Sequence, residues 1–456
     1  MNKFYVSAMF VLGLCCASCS DDEGFSYSQK PVTNSDLKTI LVQKGYRFSE
    51  DGKLLLDDLA NNTTTLDLSG SQISTDALSE LSMFPNLTDV DLSDNGYGPA
   101  FDFAKLPEQI TGVDLTGNEI YEYPGLVNIK TQENGDETVT VLHKLTKLNL
   151  PEEAKYNCVE IPAFFSNTEG VDMKMENGEG TTEAYNTLRE VPDTTLRSML
   201  QKLYESLFEG DKIDISRRMV DPSQRTKELI INTFSIPKGE TVKTVEGVEY
   251  IIMNPSYQGA SILLEPSEEC TLPYLKINPD NRMVYFVNIN TPNLDISHAE
   301  KLCTFYTQKN RDIKNIDFSH CTLMGQRSFE AETDVFNNAS QITFLECENL
   351  ETVTWPKAAK ILDSVGFEML PKLKDVDLSQ FEYITMSLSG LNCSIKYPNY
   401  NWNIYYEKVN FTPFAISEDI YNKEETKAFL DANHKYLKEF SPNVGKRYRW
   451  SKHYKQ

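Results

Sequence analysis

Apolar and polar residues alternate in one short phrase that returns along the chain. It reads Leu66-Asp67-Leu68-Ser69, Val90-Asp91-Leu92-Ser93, Val113-Asp114-Leu115-Thr116 and, far downstream, Val376-Asp377-Leu378-Ser379. Alternation with a period of two predicts a half-buried strand, the apolar pair turned into a core and the aspartate turned out of it. The first three copies start 24 and then 23 residues apart, a spacing that predicts stacked units, each covering the apolar face of its neighbour. Between copies, Ser74-Thr75-Asp76 supplies N-cap side chains ahead of Ala77, Leu78, Leu81 and Phe84, whose spacing predicts a helical turn behind the strands. A longer match, Ser82 to Ser93 against Glu368 to Ser379, is identical at eight of twelve positions. Repetition of one unit explains that better than chance.

The copies can be phased on LxxLxLxxNxL, with apolar positions in the core and Asn bonding the turning backbone. Leu87, Val90, Leu92 and Asn95 fill one copy, and Ile110, Val113, Leu115, Asn118 and Ile120 a second. Leu66, Leu68 and Ile73 fill a third, with Ser71 in the Asn place. Leu142, Leu145, Leu148 and Leu150 continue the series, then Val159, Ile161, Phe165, Val171 and Met173 more loosely. The pattern returns at Leu294-Asp295-Ile296, at Ile313, Ile316, Phe318, Cys321 and Leu323, and at Ile342, Phe344, Cys347 and Leu350. These segments resemble leucine-rich repeats. The fold class that follows is α/β, a leucine-rich repeat solenoid with irregular repeats, helical N- and C-terminal caps and room for a β-rich insertion.

The expected boundaries are a leader at 1–18, a tether at 19–33, an N-terminal cap at 34–62, and repeats at 63–178 and 291–396. A C-terminal cap with a basic tail occupies 397–456. Residues 179–290 resist phasing and read as degenerate repeats in preference to a β-rich insertion. There Asp193 caps a helix through Leu196, Met199, Leu200, Leu203 and Leu207, and Ile213-Asp214-Ile215-Ser216 reads as a further repeat strand. Leu229 to Ile236 and Val248 to Met253 read as strands. Near the end, Ala428, Phe429, Tyr436, Leu437 and Phe440 share a helical face.

The first residues bear on location. Asn2-Lys3 precedes an apolar run from Phe4 to Leu14, too short to span a bilayer, and Ala17-Ser18-Cys19 is a small-residue cleavage context. This start resembles a lipoprotein signal peptide, and Ser20-Asp21-Asp22-Glu23 resembles the acidic export signal of Bacteroidetes-type surface lipoproteins. The resemblance implies lipidation at Cys19 and an outer-membrane lipoprotein exposed at the cell surface, held by its N-terminal lipid. It also implies O-glycosylation candidates at Thr194 and Ser364, within Asp193-Thr194-Thr195 and Asp363-Ser364-Val365. A net charge of −23 argues against nucleic acid, which needs clustered Lys and Arg.

The aspartates Asp67, Asp91, Asp114, Asp295, Asp317 and Asp377, with Asn149 and Asp172, are expected on the outward strand face, flanked by Ser69, Ser93, Thr116, Ser297, Ser319 and Ser379. Such columns suit sugar hydroxyls, a cation or a basic partner, although Leu-Asp-Leu-Ser is first of all a framework phrase. Tyr400, Trp402 and Tyr406 share a strand face with Asn401 and Asn403 opposite, and Tyr405 is the best exposed aromatic for stacking on sugar if its neighbours pack under the C-terminal helix. Cys321 and Cys347 read as small buried hydrophobes. His143, His298, His320, His434 and His453 are isolated, with no HExxH, nucleophile elbow or phosphate loop. Lys446, Arg447, Arg449, Lys452 and Lys455 read as a solvated tail.

The expectation is therefore a non-catalytic cell-surface lipoprotein that binds a protein or peptide ligand and needs no cofactor or metal. A glycan-binding lipoprotein of a polysaccharide-uptake system is the alternative, and a hydrolase with its site in the middle segment is third.

Overall fold

The computed structural model describes residues 27–132, 137–326, 340–373, 375–391, 394–397, 412–416, 418–434 and 437–439. Asn34 opens the first helix, Ser35–Gln43, its side chain accepting the amides of Asp36 and Leu37. Leu37 and Leu41 lie on its buried face, one turn apart. Gly45, at a φ of +92°, turns the chain away immediately after it.

The repeated phrase then builds a sheet. Thr65–Asp67, Asp89–Asp91, Gly112–Asp114, Lys147–Leu150 and Asp172–Glu176 lie side by side in parallel, and Thr182–Ala184 adds an antiparallel edge. The register aligns Leu66, Val90, Val113, Leu148 and Met173 in one core row. Behind the strands, the 3-10 helix Thr75–Met83 starts at Ser74, whose hydroxyl accepts the Asp76 amide. Asn95 and Asn118, both buried, tie each turn to the one before it. Asn118 Nδ2 donates to the Leu92 carbonyl (3.1 Å) and its Oδ1 accepts the Asn95 and Tyr97 amides (3.0 Å each). Asn95 reaches the Leu68 carbonyl (2.9 Å) and the Ile73 amide (3.3 Å) in the same way. The polar insertion is an antiparallel hairpin, Val127–Thr131 with Glu137–Val141.

The second half is organised differently. A nine-strand parallel sheet runs in chain order from Leu229–Ile231 through Ser261–Leu264, Met283–Val287, Thr304–Gln308, Gln341–Leu345, Ile361–Glu368, Tyr383–Leu391 and Thr412–Ile416 to Leu437–Glu439. Beside it lie two-stranded parallel sheets, among them Tyr274–Lys276 with Asn293–Asp295, Asn315–Asp317 with Thr352–Thr354, and Asp375–Asp377 with Ser394–Lys396. Between the halves, Leu188–Arg189, Phe208–Glu209 and Lys212–Asp214 form a small antiparallel sheet beneath the helix Thr194–Leu203.

One leucine-rich repeat solenoid with helical caps is therefore not the architecture. Among the described residues the chain is mixed α/β, with strands divided over nine sheets, parallel and antiparallel, and short helices between them. The physical reason is that the repeat strands are only three to five residues long and that reversals after Glu176 and around Leu188 end their series. Apolar burial then divides into two clusters. The first gathers Leu37 to Tyr185, and the second gathers Val191 to Leu437 with Tyr121, Tyr156 and Cys158 reaching in from the first half.

Three local expectations also change. Lys212–Asp214 pairs antiparallel rather than extending a repeat series. Of Leu229 to Ile236 only Leu229–Ile231 is strand, and Glu249–Ile252 is helix. The helix Glu424–Asn433 carries Phe429 inward, but Leu437 belongs to a strand. Tyr436 and Phe440 lie outside the described residues.

Candidate functional site

The aspartates of the repeated phrase are turn-forming groups. Asp67 Oδ1 accepts both the amide (2.9 Å) and the hydroxyl (2.7 Å) of Ser69. The same pair of bonds joins Asp91 to Ser93, Asp114 to Thr116 and Asp377 to Ser379. Asp295 and Asp317 accept the amides of Ser297 and Ser319, both at 2.8 Å. A carboxylate two residues ahead of a hydroxyl closes the backbone on itself, the Asx-turn geometry. The Ser69 hydroxyl and amide hold the Asp67 carboxyl below the usual aspartate range.

The columns are shorter than the sequence implies. Asp67, Asp91 and Asp114 do stand in register, but the row continues through Asn149, whose Nδ2 donates to Asp114 Oδ2, and ends at Lys174. Asp172 sits opposite Lys147, outside the row, and pairs with Lys174 Nζ at 3.4 Å. Downstream, Asp295 lies opposite Lys276, Asp317 opposite Thr354 and Asp377 opposite Lys396. Among the described residues, side-by-side aspartates of the phrase are thus confined to the first sheet, because there successive copies of the phrase pair with each other.

Cys321 and Cys347 are free and fully buried, and burial pushes each thiol up to about 12. They are inert space-fillers rather than nucleophiles. Thr194 is exposed on the first turn of its helix. Its neighbour Asp193 is committed on both oxygens, to the Leu196 amide (2.9 Å) and the Lys243 amide (2.8 Å). Ser364 is half-buried within the nine-strand sheet, in register with Gln341 and Ser387. His143 is buried, with Nε2 at 2.8 Å from the Ile110 carbonyl oxygen. Cys19, Tyr400, Trp402, Tyr405 and the basic tail lie outside the described residues. Among the described residues no group of His, Cys, Asp and Glu could hold a metal ion, and no helix is long and apolar enough to cross a membrane.

Two features escape a linear reading. The first is the outward face of the nine-strand sheet. Ile262, Leu264, Val284, Phe286, Phe305, Ile342 and Phe344 point into the core, which sends Ile230, Leu263, Tyr285, Tyr306 and Thr343 in one row to the other face. Tyr285 and Tyr306 stack at 4.2 Å with their planes 8° apart, and both remain half-exposed. The row passes next through Gly366, where an added Cβ would press on the Thr343 side chain at 3.2 Å.

The second is a cleft of about 460 Å³ where the halves meet, in the size range of small-ligand sites. Tyr121 from the first half stacks on Tyr274 from the second at 4.3 Å and 18°. Glu122 accepts the Tyr274 hydroxyl (3.0 Å) and the Lys276 ammonium, and Lys276 lies 3.7 Å from Asp295. Beyond the cleft, Glu249 is buried in a neighbouring cavity with Tyr156 and Arg189. Burial pushes its carboxyl up to about 7 against the pull of the Gly247 amide at 2.7 Å. No family model, curated protein or solved structure matches this chain.

Proposed function

We propose that this chain is a non-catalytic cell-surface lipoprotein that binds a protein or peptide ligand along the outward face of the nine-strand sheet. The observation that carries the reading is the row Ile230, Leu263, Tyr285, Tyr306 and Thr343. It crosses five strands without a charged residue of its own, with two stacked tyrosines at its middle and Glu265 and Glu368 near the Tyr306 hydroxyl. Aromatic groups held rigidly by their neighbours make good anchors because little side-chain freedom is lost on contact. An extended ligand laid across successive strands gains area there rather than depth, which suits a polypeptide. Anchorage through Cys19 would hold this face outside the cell.

The test is to screen the intact soluble chain on protein, peptide and glycan arrays. Tyr285→Ala with Tyr306→Ala is expected to weaken a bound polypeptide at least tenfold, the size of about 1.4 kcal/mol. Glycan binding that disappears in Trp402→Ala and Tyr405→Ala would instead establish the glycan-uptake alternative. Cys19→Ala is expected to release the protein from membranes, and unchanged lipid labelling would refute the anchor. Hydrolytic turnover of any array substrate would overturn the non-enzyme reading.

A further inference from the structure

The cleft between Tyr121 and Tyr274 carries more negative charge than the protein's own cations answer. Glu122, Glu160 and Asp280 stand on its wall with one ammonium group, that of Lys276, and with the exposed His298 at the rim. Asp280 is paired with Lys301, and Lys276 is shared between Glu122 and Asp295. Four carboxylates therefore face two ammonium groups. Among the described residues Glu160 makes no ion pair, and its partner is a neutral amide, Asn157 Nδ2 at 2.7 Å.

The fold holds Glu160 in this place. Asn157 is itself buried and tied to backbone, its Nδ2 donating to the Tyr121 carbonyl (2.9 Å) and its Oδ1 accepting the Ile161 amide (2.9 Å). The Glu160 side chain is half-buried. Burial first, and then the carboxylates of Glu122, Asp295 and Glu160, push the Tyr274 hydroxyl above its usual range, so the negative field crosses the cleft from one half to the other. Val159, Met253 and Pro279 supply apolar wall beside these groups.

We infer that the cleft is a binding site for a small organic cation, an ammonium group carried on an apolar body. The inference rests on the cleft alone and is independent of the sheet face. A carboxylate partly withdrawn from water attracts an opposite charge more strongly than one in open solvent, and an ammonium beside Glu160 makes a charge-assisted hydrogen bond there. A neutral molecule of the same shape strips water from Glu160 and returns only a weaker bond, while an anion meets the surplus of carboxylates. A bare metal ion does not fit, since no group of His, Cys, Asp and Glu among the described residues could hold one. The apolar wall calls for a body, and a volume of about 460 Å³ keeps that body small.

The test is calorimetric titration of the intact chain with three molecules of like shape, phenethylamine, phenethyl alcohol and phenylacetate. Saturable binding of phenethylamine is expected, with the alcohol and phenylacetate at least about tenfold weaker. Glu160→Gln keeps an acceptor for Asn157 Nδ2 and removes the charge. It is expected to weaken the amine about tenfold and to leave the alcohol where it was. Val159→Trp, which fills the cleft, is expected to abolish binding of the amine, and Tyr306→Ala on the sheet face to leave it unchanged. The inference is overturned if the amine does not saturate, if the alcohol or phenylacetate binds as well, or if either cleft variant binds the amine like the parent chain. The comparison of the three probes on the parent chain decides the matter even where a substitution unfolds the protein.

Discussion

The phrase at Val90 and the phrase at Val376 belong to the same twelve-residue match, yet they end in different company. Val90 lies inside a six-strand sheet, with Leu66 on one side and Val113 on the other, each from another copy of the phrase. Among the described residues Val376 has one strand partner, Ile395, in a two-stranded sheet beside the main one. The local device survives the change: Asp91 bonds Ser93 as Asp377 bonds Ser379. Four residues therefore specify a turn, and what flanks them decides which sheet the strand joins. The second half keeps its turns on the side and gives its main sheet to strands such as Thr304–Gln308 and Gln341–Leu345.

Removing a core ring separates the halves most sharply. Phe344→Ala, from the row Phe286, Thr307, Phe344 and Phe367, is expected to cost about 3–5 kcal/mol. Calorimetry should show that loss in the transition of the second cluster, with the first little moved. A single peak shifting as a whole would refute the two-cluster description.

The boundary between the halves is the next place to press. Glu249 holds its proton more tightly folded than unfolded. The stability it lends is complete below the ordinary glutamate value of 4.5 and is lost as the pH climbs through about 7. Glu249→Gln keeps an acceptor for the Gly247 amide and abolishes the titration. Above pH 7 the variant is expected to be more stable than the parent, by up to roughly 3 kcal/mol, and below pH 4.5 equal to it. Parallel urea curves across that range would show that this carboxyl does not govern the joint.

A smaller effect tests the shared turn. Asp91→Ala removes the acceptor for the Ser93 amide and hydroxyl and is expected to cost about 1–2 kcal/mol. Asp91→Asn retains an oxygen in the same place and, by removing a charge between Asp67 and Asp114, should be close to neutral. Equal losses in the two variants would point to the charge instead of the hydrogen bonds. The smallest effect belongs to Lys44→Ala, since the pair with Asp67 is solvent-exposed at 3.6 Å. Denaturant midpoints should place it within about 0.5 kcal/mol of the parent.

The first sheet was legible because its strands carry turn chemistry and core periodicity in the same four residues. The main sheet of the second half was legible only in part, at Leu229–Ile231 and at Ile342 and Phe344. In Met283–Val287 the core residues Val284 and Phe286 alternate with Met283, Tyr285 and Val287, so both faces look apolar and the period of two disappears. Val248 to Met253 fails similarly, since a short apolar run suits a buried helix and a strand equally well. The framework role of the aspartates could be read from the hydroxyl two residues on, whereas their neighbours could not, because register decides whether Asp295 meets another acid or Lys276. The cleft left no linear trace. Tyr121, Val159, Gln258 and Tyr274 come from four segments, and contacts distant in sequence, the stacking of Tyr121 on Tyr274 and the bonds of Glu122 to Tyr274 and Lys276, bring them together.

The buried asparagines give the first sheet a direction of dependence. Asn118 answers the amides of Asn95 and Tyr97, and Asn95 answers that of Ile73, so each of these two turns borrows its acceptor from its successor. A chain emerging from the ribosome must therefore leave each turn unfinished until the next has been made. A deletion that excises one turn cleanly can be healed by the turn beyond it, whereas truncation after any turn strands donors in the interior. New units can be spliced between old ones, but the sheet cannot simply stop, and whatever follows Asn118 in such a protein has to supply a final acceptor of its own.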